Sequence, residues 1–132
     1  MRVAGNAAYL LDTVIVAALF NGEVAIIQKV SAVPVYVSSI TIGELYFGAY
    51  KSARLAGNMA KIHTLATQRA ILNCNRLTAE RYGEIKEGLR IKGKPIPEND
   101  IWIAATALQH NLILVSRDAH FNHVDGLGFE QW

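Results

Sequence analysis

Four short apolar runs, "AAYLLDT", "VPVYVSS", "AILNCN" and "LILVS", separated by longer helix-type segments, constrain the fold of this chain more than any other feature. The first shows no apolar–polar alternation and therefore suits a strand covered on both faces; the second is β-branched and bounded by Pro34. Strands alternating with helices, and buried on both sides, predict an α/β domain whose central sheet is mainly parallel. Between the runs, "VIVAALF" is β-like by propensity, yet Ala17, Ala18 and the Asn21-Gly22 stop favour a short helix that "EVAIIQKVS" continues. "TIGELYFGAYKSARLAG" predicts a helix opening at Thr41 and stopping near Gly57. Asn58 to about Arg69 then places Met59, Ile62, Leu65 and Ala66 on one helical face. "TAERYGEIKEGLRIKG" reads as a solvated surface helix opening at Thr78 and stopping at Gly93. "KPIP" forces a turn, "ENDIWIAATALQHN" is a buried helix, and "LGFEQW" adds a short edge strand.

Composition narrows the setting. A chain of 132 residues with 52% apolar content fits one domain spanning 1–132. A net charge of +2 and a pI near 8.8 are too mild for a protein that holds nucleic acid by bulk charge, so any polyanion must be gripped locally. The single cysteine, Cys74, forms no internal disulfide and fits a reducing cytosol; a small buried apolar role is expected for it. In "MRVAGNAAYLLDTVIVAALFNG" the apolar run is broken by Gly5, Asn6 and Asp12, which suits neither a signal peptide nor a span of about 20 apolar residues. A soluble cytoplasmic protein with no membrane partner is the expectation.

The acids are placed with more pattern than the strands require. Open parallel sheets bind ligands beyond the carboxyl ends of their strands. Asp12 leaves the first strand there, Glu44 sits about one turn into the helix after the second, and Asp118 leaves the fourth. Asp100 opens the helix that runs antiparallel to that fourth strand, so its end of the helix lies beside Asp118. Each acid has an ordinary explanation: a helix macrodipole for Asp100, a capping box with Thr41 for Glu44, strand-end turns for Asp12-Thr13 and Ser116-Arg117-Asp118. Those explanations do not predict that all four reach one edge of one sheet. Close carboxylates repel and raise one another's pKa, and a hard divalent ion such as Mg²⁺ or Mn²⁺ resolves the conflict with oxygen ligands. His120 and His123, three apart in "DAHFNHVD", lack the further ligands of a zinc site, and a loop or rim role is expected for them. His63 and His110 read as surface or partly buried.

The series "LLDT", "SSITIGEL", "NDIWIAATAL" and "LVSRDAHF" resembles the PIN domain and, more closely, the VapC toxins of bacterial and archaeal toxin–antitoxin pairs. The resemblance covers nearly the whole chain, and its third motif is the most specific. It implies a three-layer α/β/α sandwich around a four- to five-stranded sheet. It also implies a homodimer and a Mg²⁺- or Mn²⁺-dependent endoribonuclease that a cognate antitoxin blocks, with tRNA or rRNA as the substrate class. The family's acidic quartet maps onto Asp12, Glu44, Asp100 and Asp118, as catalytic residues and metal ligands. Val14 departs from the pattern, since many relatives carry Asn or Ser there. Ser116 matches the small hydroxyl residue two before the last acid, where it can bond Asp12 or a metal water, and Thr13 is a lesser candidate for the same duty.

Substrate grip falls to Lys92, Lys94 and Arg117, which flank Asp100 and Asp118 in sequence, together with Ser116. Tyr46, Phe47 and Tyr50 cannot all face inward at helical spacing; Phe47 suits the core, and the others suit a dimer mate or the antitoxin. A haloacid-dehalogenase-type phosphatase needs an Asp where Val14 stands, and a nucleotide-binding domain needs a Gly-rich loop where "DTVIV" stands. Two alternatives stay open: a non-catalytic module holding a cation or a partner's Arg, and an RNA-processing nuclease without an antitoxin.

Overall fold

The structure, a computed structural model, describes residues 7–132; Gly5 and Asn6, the expected break at the front of the first apolar run, lie outside the described residues. Five strands form one parallel sheet: β1 (Tyr9–Leu11), β2 (Val35–Ser38), β3 (Ile71–Leu72), β4 (Ile113–Val115) and β5 (Phe129–Glu130), in the order β3-β2-β1-β4-β5. The helices are α1 (Thr13–Phe20), α2 (Val24–Ala32), α3 (Ser39–Lys51), α4 (Leu55–Gln68), α5 (Arg76–Lys92) and α6 (Glu98–Gln109), and a short 3-10 turn follows β4 at Ala119–His123.

The expected sandwich is present, and the sheet residues show how it is built. Leu10 and Leu114 point into a core formed with α5 and α6, through Ile85, Leu89, Ile101, Ile103 and Ala104. Their neighbours Leu11 and Val115 point into the opposite core, with Ile15, Val16, Ile26 and Leu65 of α1, α2 and α4. Period-two alternation therefore operates between two apolar cores rather than between core and water, which is why the strands carry no polar face. The chain steps from β1 out to β2 and β3, then returns to the other side of β1 as β4. The carboxyl ends of β1 and β4 thus flank the reversal point where such sheets open a crevice.

Helix boundaries depart from expectation where a polar residue one turn earlier makes the better cap. The helix expected from Thr41 starts at Ser39, because the Ser38 hydroxyl accepts from the Thr41 backbone N–H at 3.1 Å. It ends at Lys51, not near Gly57; Ser52 closes it by donating to the Ala49 carbonyl at 2.7 Å, and Gly57 lies inside α4. The helix expected from Thr78 starts at Arg76. Asn75 is its cap, in a reciprocal box in which the Thr78 hydroxyl accepts from the Asn75 N–H at 3.0 Å. Gly93 terminates α5 at φ 67° as anticipated. The turn between α1 and α2 uses Gly22 at φ 76°, and the two helices bend there by 113°; among the described residues no single helix is long and apolar enough to cross a membrane.

Two burial expectations are corrected. Phe47 is 63% exposed rather than in the core, because the buried face of α3 is the one that carries Thr41 and Ala49. Cys74 is free and only partly buried, since it sits in the short loop between β3 and α5.

Candidate active site

Asp12 follows β1 directly. Its backbone N–H donates to the Val115 carbonyl at 2.9 Å, so the residue stays in the sheet ladder while its carboxylate leaves the edge. Oδ1 accepts from the Thr13 N–H at 2.7 Å, which caps α1, and Oδ2 accepts from the Ser116 hydroxyl at 2.7 Å. The strand-end turn therefore explains one oxygen; the other is held by a residue from β4's end of the chain. Asp12 is buried, and burial pushes its carboxyl above the usual range. The bonds from Ser116 and Thr13 draw it back, while the charges of Glu44 and Asp118 push it further up.

Glu44 lies in the second turn of α3. With Ser38 as the cap, it is past the position a capping box requires, and that ordinary explanation fails. Its Oε1 accepts from the Thr13 hydroxyl at 2.5 Å, and its Oε2 lies 3.4 Å from Asn99 Nδ2. Thr13 supplies, one residue early, the polar contact that Val14 lacks; Val14 itself is exposed. Ser116 is fully buried and works on two acids, because its oxygen also accepts from the Asp118 N–H at 3.1 Å. A continuous set of bonds thus runs from Glu44 through Thr13, Asp12 and Ser116 to Asp118.

Asp100 stands in the first turn of α6, where the helix dipole favours an acid, but its carboxylate also faces the other three. Desolvation raises its pKa to about 6; Asp12 and Glu44 add to the rise, and His120 opposes it. His120 is the residue that sequence reasoning misplaced. The 3-10 turn buries Phe121 completely and Val124 nearly so in the α5–α6 core, and that anchoring carries the preceding ring inward. His120 Nε2 comes within 2.9 Å of Asp100 Oδ2, without the alignment of a hydrogen bond, and is itself buried with no hydrogen-bond partner. Asp100, Asp118 and His120 each present one donor atom, all within 4.8 Å of one another. The signal that could have found it is the order "DAHF": a strand-end acid, then a histidine beside an aromatic that must be buried.

The expected phosphate contacts lie differently. Arg117 reaches Glu23 at 2.7 Å and the Trp132 carbonyl at 3.2 Å. Lys92 holds Asp125 at 2.5 Å and the His123 carbonyl at 2.8 Å. Lys94 is exposed in the loop before α6. Arg117 and Lys92 are thus each already paired with a carboxylate, which competes with any phosphate they would bind.

Among the described residues no Lys or Arg forms an ion pair with any of the four acids; the one basic side chain in such contact with them is the His120 ring, at Asp100. Uncompensated carboxylates, two of them with raised pKa values, and a buried ring nitrogen without a partner are what a divalent cation would complete. The donor set fits such an ion.

Comparison with known proteins agrees with this arrangement. The model of the PIN domain matches residues 9–127. The chain is 38% identical over 128 residues to "Ribonuclease VapC2" of Haemophilus influenzae, covering 94% of this chain and 97% of that one. It is 33% identical over 97 residues to "tRNA(fMet)-specific endonuclease VapC" of Shigella flexneri, covering 73% and 74%. Among solved structures, VapBC2 from Rickettsia felis bound to a DNA fragment from their promoter superposes with a TM-score of 0.88 at 27% identity, over 95% of this chain and 98% of that one. The chain belongs to the PIN-domain family, among the VapC ribonucleases.

Proposed function

We propose that this chain is a divalent-metal-dependent endoribonuclease and the toxin of a toxin–antitoxin pair, acting in the cytoplasm. The observation that carries the reading is the convergence of Asp12, Glu44, Asp100 and Asp118 from four separate segments on the crevice at the sheet's reversal point, with no Lys or Arg paired to them among the described residues. Asp12, Glu44 and Asp100 are the expected metal ligands, and Asp118 contributes directly or through water. When bound, Mg²⁺ or Mn²⁺ supplies charge neutralisation at the scissile phosphate and lowers the pKa of the attacking water. The chain's own part is orientation. Ser116 and Thr13 hold the Asp12 and Glu44 carboxylates with their oxygens fixed, so little reorganisation remains to be done in the transition state. Water attack needs no 2′-hydroxyl, and the products should carry 5′-phosphate and 3′-hydroxyl ends.

The substrate class proposed is tRNA or rRNA, supported by a relative named as specific for tRNA(fMet). A cognate antitoxin is the proposed protein partner, supported by a chain of the same fold standing in a VapBC assembly on promoter DNA. The rival reading is a module that binds a cation without turnover. The deciding experiment incubates the purified chain with a pool of cellular RNA in Mg²⁺, Mn²⁺ or EDTA, beside a folded Asp100→Asn variant. Cleavage that requires both the metal and Asp100, with 5′-phosphate products, upholds the nuclease. Metal binding without cleavage of any RNA gives the site to the rival, and 2′,3′-cyclic phosphate ends would overturn the mechanism.

A further inference from the structure

Among the described residues, His120 is a partly buried polar side chain of the crevice that the acidic quartet leaves unexplained. Its ring is held from behind: it packs edge-on against Phe121, with centroids 4.7 Å apart, and Phe121 is fully buried. Its Nε2 is buried without a hydrogen-bond partner, although leaving a buried polar atom unsatisfied is destabilising. A site that wanted only a counter-charge for Asp100 would gain by aligning the N–H with the carboxylate. Here the two atoms stand 2.9 Å apart without forming a well-aligned hydrogen bond.

That separation has a meaning in coordination geometry. Two adjacent ligands of an octahedral ion with bonds near 2.1 Å are separated by about 3 Å. Asp118 completes a triad whose donor atoms all lie within 4.8 Å, close enough for small side-chain movements to bring them onto one ion. We infer that His120 is a nitrogen ligand of the catalytic metal, and that this mixed nitrogen–oxygen set makes the site selective for Mn²⁺ over Mg²⁺. Mg²⁺ favours carboxylate, carbonyl and water oxygens, whereas imidazole suits the transition metals and adds to their affinity. This inference rests on the proposed metal dependence and deepens it.

The test is spectroscopic and does not depend on turnover. The chain is loaded with Mn²⁺ and examined by electron spin echo envelope modulation, which detects nitrogen bonded to the ion. Parallel titrations give the affinities for Mn²⁺ and Mg²⁺. The expected result is a nitrogen coupling that disappears in His120→Gln and persists in His123→Gln. The same His120→Gln change should weaken Mn²⁺ binding at least about tenfold, the loss that removing even an outer partner causes, and weaken Mg²⁺ binding much less. Bound Mn²⁺ with no nitrogen coupling in the unaltered chain overturns the ligand role while leaving the metal site standing. A coupling that survives in His120→Gln overturns it as well. Failure of the folded chain to bind either ion removes this inference together with the metal-dependent reading beneath it.

Discussion

Asp100 is where the chain departs furthest from ordinary protein chemistry, and its departure has a sign. Its folded-state pKa, about 6, lies above the unfolded value near 3.8, because burial and the charges of Asp12 and Glu44 disfavour the carboxylate. A group shifted in this direction adds stability below its unfolded pKa and loses it as pH rises through the folded one. In metal-free protein, stability measured by denaturant unfolding should therefore fall between about pH 4 and pH 6. Asp100→Asn should remove most of that fall and raise metal-free stability at neutral pH by about 1–3 kcal/mol while abolishing cleavage. Saturating Mn²⁺ should cancel the fall in the unaltered chain; a profile insensitive to Mn²⁺ would place the ion elsewhere. Ser116 makes the complementary case. Its hydroxyl satisfies both buried Asp12 Oδ2 and the Asp118 N–H, so Ser116→Ala should cost about 1–3 kcal/mol and also lower kcat by loosening two acids at once.

At the scale of elements, the caps decide where helices begin, and they can be tested away from the site. Asn75 accepts from the Leu77 and Thr78 N–H groups at 3.0 and 3.2 Å and from Gln109 Nε2 at 3.0 Å, so it ties α5 to the end of α6. Asn75→Ala should destabilise the fold by about 1 kcal/mol or somewhat more, with cleavage unchanged at temperatures where the protein stays folded. The same caps mark what the sequence made legible. Strand and helix identities followed from apolar runs and their stops, because those patterns are set by burial, which is a property of each segment. Two helices start two residues earlier than expected, at Ser39 and Arg76, because Ser38 and Asn75 and the residues expected to open those helices are all good polar caps. Only the loop preceding each helix decides between them. Asp12 and Asp118 are expected from strand ends, Glu44 from the helix that follows the second strand, and Asp100 from helix direction. His120 is not, because its position depends on Phe121 being drawn into a core formed by α5 and α6, a contact between segments distant in sequence.

On the whole molecule, α3 has two duties. One side brings Glu44 to the crevice; the other leaves Phe47 and Tyr50 at 63% and 68% exposure, with the Lys51 ammonium over the Phe47 ring at 4.5 Å from its centroid. Two large aromatics on one exposed helical stretch are what a protein interface is enriched in, and they bring no gain to an isolated domain. A second copy of this chain is the partner expected there. Phe47→Ser combined with Tyr50→Ser should convert a dimer into a monomer by light scattering. Because neither ring contributes to either core, the stability of the isolated domain should change by no more than about 0.5 kcal/mol per site. The unfolding midpoint should lose its dependence on protein concentration, since a dimer is stabilised by mass action and a monomer is not. Retention of the dimer mass would free this face for the antitoxin, in which case the same double variant should weaken capture by the antitoxin while cleavage of RNA by the free chain continues.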